Sequence, residues 1–187
     1  MYWFRRIRPL PGRAEEYASP ADFCRIFKKE MTSLYCLALA LTADEYKAEQ
    51  CFVSGLQECI SGNAVFKEWA HNWSKRIVIK KAIQLVSPAS GTNGFMQVIG
   101  ANKEIDPSPE LVPAAVTQLP SLERFVFVMS VLESYSDREC STLLGCSPSQ
   151  VVKARNKALQ GIRRAPAFAS LEPVGDAAFS DGLKVAG

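Results

Sequence analysis

The sequence predicts an all-α fold of two small helical domains joined by a Pro/Gly-rich linker, the second ending in a helix-turn-helix. Three observations carry this. Apolar residues recur at steps of three and four from Phe23 onward. Four prolines and three glycines crowd into residues 87–113, too many for a long helix. No set of alternating segments is large enough to build a sheet. With 187 residues, 48% of them hydrophobic, the chain can bury one sizeable core or two small ones.

Residues 1–20, with Pro9, Pro11, Gly12 and Pro20, read as an irregular N-terminal segment. The first domain, 21–86, opens with a helical run in which Phe23, Ile26, Phe27, Leu34, Leu37, Ala38 and Leu41 share a face. Thr42 to Asp44 breaks the run, a second helix spans about Tyr46–Ile60, and "SGN" at 61–63 ends it. A third helix is expected from Val65 to Val86, with Trp69 and Trp73 in its core face and His71 at the surface. Residues 87–113 form the linker, with a short ordered turn expected at Phe95–Ile99. The second domain runs over 114–164, and 165–187 is a Gly/Ala-rich tail expected to fray.

The end of the second domain is the most informative stretch. Ser136, with Glu139 three residues on, starts a short helix with a capping box, and Gly145 stops it. Ser147 followed by Pro148 is an N-cap and a favoured first helical residue. Two helices joined by a tight glycine turn make a helix-turn-helix. From Gly145 to Arg164 the chain holds Lys153, Arg155, Lys157, Arg163 and Arg164 and no acid. Positions 149, 150, 153, 156, 157 and 160 are expected to face outward, and Val151, Ala158 and Ile162 to pack on Leu143 and Leu144. An outer face of hydroxyls, amides and ammonium groups suits phosphates and base edges.

Charge elsewhere is mixed: 22 Lys+Arg against 19 Asp+Glu give a net +3, so where charge sits matters more than its sum. The cysteines at 24, 36, 51, 59, 140 and 146 include no CxxC pair, which favours reduced cysteines used as small hydrophobes over a metal site. No apolar run reaches membrane-spanning length, and the N-terminus lacks the apolar region of a secretory signal. A cytoplasmic protein is expected, with no membrane partner, no cofactor, no metal and no catalytic set.

Residues 119–164 resemble the C-terminal, region-four domain of bacterial RNA polymerase sigma factors of the extracytoplasmic-function group. The resemblance lies on Leu119, Pro120, Arg124, Val126, Phe127, Glu133, Ser136, Glu139, Leu144, Gly145, Ser147, Val151, Lys157 and Ala158. The first domain is similar to sigma region two at Leu34-Tyr35, Leu37-Ala38, Leu41-Thr42, Asp44 and Ala48-Glu49, and again at Trp73, Arg76, Ile77, Ala82 and Ile83. The resemblance implies a transcription initiation factor that is not an enzyme. Its partners would be double-stranded promoter DNA, core RNA polymerase and an anti-sigma factor.

The candidate DNA-binding residues are Ser149, Gln150, Lys153, Arg155, Asn156 and Lys157. Lys75, Arg76, Lys80 and Lys81, on a helix without an acid from 69 to 86, are candidate phosphate contacts, with a solvated face as the alternative. Glu49, Phe52, Val53 and Leu56 are candidate polymerase contacts. Where region two continues with acids and amides after Ala48-Glu49, this chain has Gln50, Val53 and Ser54. Weaker, less salt-sensitive docking on polymerase is therefore expected, and a sigma-like regulator or protein-interaction module that does not initiate transcription is the alternative reading.

Overall fold

A computed structural model describes residues 16–88 and 112–164. The expected turn at Phe95–Ile99, most of the linker, the tail and most of the N-terminal segment lie outside them. All the regular structure described is helical, apart from an isolated antiparallel bridge between Tyr17 and Phe66.

Helix α1 (Pro20–Lys29) starts on a capping box: the Ser19 Oγ accepts from the Asp22 N–H, and the Asp22 carboxylate accepts from the Ser19 N–H at 2.9 Å. It buries Phe23 and Phe27. The run expected to reach Leu41 unbroken is instead two helices, because Glu30 leaves helical dihedrals (φ −102°, ψ 20°). Apolar spacing passes in phase through this bend, so periodicity does not reveal it. Packing does: the two halves make separate contacts with α3 and α4.

Helix α2 (Met31–Thr42) is the central strut, burying Leu34, Leu37, Ala38, Ala40, Leu41 and Thr42. It ends at left-handed Ala43, and Asp44 then caps α3 (Glu45–Ser61) by accepting the Lys47 N–H at 2.8 Å. Ala48, Cys51, Gly55 and Cys59 form the buried stripe of α3. A Cβ on Gly55 would stand 3.3 Å from Val78 Cγ2, so glycine lets α3 and α4 approach closely. Helix α4 (Ala70–Val86) begins later than expected, after a 3₁₀ turn at Lys67–Trp69, and buries Ile77, Val78, Ile79 and Ala82.

The C-terminal helices are α5 (Ala114–Thr117), α6 (Ser121–Phe127), α7 (Asp137–Leu144) and α8 (Pro148–Arg164). A π turn at Val128–Leu132 extends α6, closed by the Glu133 N–H donating to Val128 O at 3.0 Å. Phe125, Val126, Met129, Cys140, Leu144, Val151 and Ala158 form their core.

The two helical groups touch along α2. Arg124 of α6 is only 6% exposed, and its guanidinium donates to Leu41 O (3.0 Å) and Thr42 O (3.3 Å) at the end of α2. The same group donates to Leu119 O (2.8 Å) and Thr117 O (3.3 Å) beside α5. A buried cation thus caps the carbonyl end of α2 and ties it to the C-terminal helices. Lys75 on α4 adds an ion pair with Glu133 at 2.8 Å.

Cys51, Cys59 and Cys140 are buried, and burial pushes their thiols up to about 11, 12 and 11, which makes them poor nucleophiles. Cys24 is exposed. No helix among the described residues is long and apolar enough to cross a membrane.

Candidate nucleic-acid interface

The expected helix-turn-helix is built from α7 and α8. Ser136 caps α7: its Oγ accepts the Glu139 N–H at 3.3 Å, while the Glu139 carboxylate accepts the Ser136 N–H at 2.9 Å. These hydrogen bonds, first the one from the Ser136 backbone, hold the Glu139 carboxyl below its ordinary value. Gly145 ends α7 at φ +67°. A Cβ there would meet nothing within 4 Å, so the left-handed conformation and not lack of space selects glycine. Helix α8 then seats Val151, Ala154 and Ala158 against α6 and α7.

A third capping box starts α8, and the sequence reading missed it. The Gln150 N–H donates to Ser147 Oγ at 3.3 Å, while Gln150 Oε1 accepts from the Ser147 N–H (2.8 Å) and O–H (3.0 Å). The Ser-x-x-Gln spacing was the available signal. It changes what Gln150 can offer: its amide oxygen is engaged at the helix end, which leaves the NH₂ group to project.

Ser149, Gln150, Lys153, Asn156, Lys157 and Gln160 are all exposed, as the helical phase requires. The side chains of Lys153 and Asn156 make no hydrogen bond or ion pair with another described residue. Lys157 stands 3.8 Å from Glu123 with its side chain 71% exposed, so its ammonium is loosely held. Arg155 is different. It faces α7 and forms a two-pronged ion pair with Asp137, at 2.5 and 3.2 Å. That hydrogen bond raises its pKa above the ordinary value, and the guanidinium serves to brace the two helices.

On α4 the candidate phosphate contacts meet acids supplied by other helices. Lys75 pairs with Glu133, while Lys80 and Lys81 both reach Glu58, at 2.8 and 2.6 Å. Arg76 alone of the four is exposed. Trp69 also departs from expectation: it is 56% exposed, with its ring edge-on to Phe66 at 5.1 Å. Starting α4 at Ala70 puts Trp69 on the preceding turn and outside the buried stripe. Together with Trp73, Tyr135 and Arg76 it lines a cleft of about 1000 Å³ between the two helical groups.

Of the candidate polymerase contacts on α3, Glu49 is exposed and Val53 is 58% exposed. Phe52 turns inward to an edge contact with Phe27 at 5.2 Å, and Leu56 is half-buried against the core.

Set against known families, the C-terminal helices have a clear counterpart. Residues 110–160 match the family model of sigma-70, region 4. The match takes in α5 to α7 and α8 as far as Gln160, and it supports a sigma-factor-like, DNA-binding role for this domain. No curated protein matches the chain.

Proposed function

We propose that the protein is a sigma-like transcription initiation factor. Its α8 would enter the major groove of an upstream promoter element, and its N-terminal helices would dock on core RNA polymerase. The observation that carries this reading is the outer face of α8. It presents Ser149, Lys153, Asn156 and Lys157 to solvent without an acid of its own, from a capped helix-turn-helix within the stretch matching sigma-70 region 4. Lys153 and Lys157 supply phosphate contacts, and Ser149 and Asn156 supply donors and acceptors for base edges.

The test combines a pull-down of the purified chain on core RNA polymerase with run-off transcription from its own upstream region. Retention on polymerase with a discrete transcript is the expected result. A second reading, a sigma-like regulator that binds DNA without initiating, draws on α3, where Gln50 and Val53 are exposed in place of the resemblance's acids and amides. Duplex binding with a steep salt slope but no retention on polymerase would favour that regulator. Retention on neither would defeat both readings.

A further inference from the structure

We infer that Val152 is a specificity-determining residue that reads the 5-methyl group of a thymine in the major groove; this rests on the DNA-binding reading above. Val152 stands on the first turns of α8 with 39% of its surface exposed, beside Lys153 and between Ser149 and Asn156 at i−3 and i+4. The core does not need it, because its neighbour Val151 makes the buried contact. A valine has nothing to offer a phosphate. The polar residues around it are partly committed: Gln150 Oε1 to Ser147, and Arg155 to Asp137.

What remains for base edges on these turns is the acceptor side of the Ser149 oxygen, whose hydroxyl is hydrogen-bonded to Ser147 at 3.0 Å, the Lys153 ammonium, the Asn156 amide and one apolar branch. The major groove displays a single apolar group, the thymine methyl. A β-branched side chain holds its methyls in one direction, so Val152 offers a fixed apolar contact. Placed against the exocyclic amine of cytosine, it would remove water without returning a hydrogen bond. Attraction to one base and a penalty against another would act at the same position.

The probe is a random-sequence duplex pool, enriched on the full chain at low salt. Synthetic duplexes of the enriched sequence then carry deoxyuridine in place of each thymine in turn, which removes only the methyl. The parent chain is expected to lose about fourfold in affinity at one position, the worth of one buried methyl-sized group. The Val152→Ala variant should bind both duplexes at that position equally. An exposed alanine in a helix keeps the fold, which the circular dichroism spectrum and melting temperature check. A parent indifferent to uracil everywhere, or a Val152→Ala chain that keeps the sensitivity, overturns the assignment and leaves DNA binding standing. If no duplex is enriched, the DNA-binding reading falls and this inference with it.

Discussion

Helices α4 and α8 each have 17 residues, and each carries several cations and no acid of its own. Read along the chain they look alike, yet their surroundings differ. Helix α4 lies among α1, α2 and α3 and next to the chain that leaves α6, so Glu58 and Glu133 reach Lys80, Lys81 and Lys75. Helix α8 packs on α5, α6 and α7 with its inner face, where Asp137 pairs with Arg155 on one flank and Glu123 stands 3.8 Å from a Lys157 that stays largely exposed. The charge a helix shows a partner depends on which neighbours bring carboxylates to it. Solvent-facing position alone does not create a binding face.

The largest expected effect concerns a third environment for a cation, the buried one. Arg124→Ala should leave carbonyls of Leu41, Thr42, Thr117 and Leu119 short of a donor, at a cost of about 3 kcal/mol in urea denaturation. Arg124→Lys should recover little of it, since an ammonium cannot reproduce the planar fork. Next comes the contrast between the two helices. The double variant Lys153→Ala with Lys157→Ala should flatten the salt dependence of duplex binding by about two units and leave stability within about 0.5 kcal/mol. Lys75→Ala and Lys81→Ala should leave that slope unchanged. Equal slopes for both sets would erase the distinction between α4 and α8.

A smaller effect tests the acid that occupies α4. Burial alone would raise the Glu58 carboxyl, but hydrogen bonds from Lys80 and Lys81, with their charges, outweigh it and hold it below its ordinary 4.5. A carboxylate whose pKa is lower folded than unfolded contributes its stability above the unfolded value. That contribution is lost as pH falls through the folded one. Glu58→Gln should therefore cost roughly 1 kcal/mol at neutral pH, and the gap to the parent should narrow below about pH 4.5 in acid titrations of stability. The smallest effect is expected from Asp137→Asn. It should cost about 0.5 kcal/mol and release Arg155, making the salt slope of duplex binding steeper.

How much of this was legible beforehand depends on the range of the interaction. The all-α architecture, the Ser136 and Ser147 caps, the left-handed Gly145 and the outward set on α8 are set within a few residues. Local spacing carries that information. The bend at Glu30, the exposure of Trp69 and the pairing of Lys75 with Glu133, 58 positions away, depend on which helices meet. Arg124 was legible as a match to the family and not as a clamp, because its acceptors are backbone carbonyls, which every residue has. The Arg155–Asp137 pair lies between these cases. The two residues sit on adjacent helices, and only the angle of the turn decides that they meet.

A turn closed from residue i to i+5 holds one residue more than the α turn it replaces, so Val128–Leu132 amounts to an insertion that the helix has already absorbed. Removing a residue from α8 ahead of Lys153 would swing the rest of its outer face by about 100° and carry Arg155 into the buried place of Ala154. Removing Val131, which points partly to solvent, would let the wide turn tighten to an ordinary one and leave α7 and α8 aimed as before. The chain therefore keeps a spare residue at the joint where α6 hands over to the helix-turn-helix. Its length can change there without turning the outer face of α8.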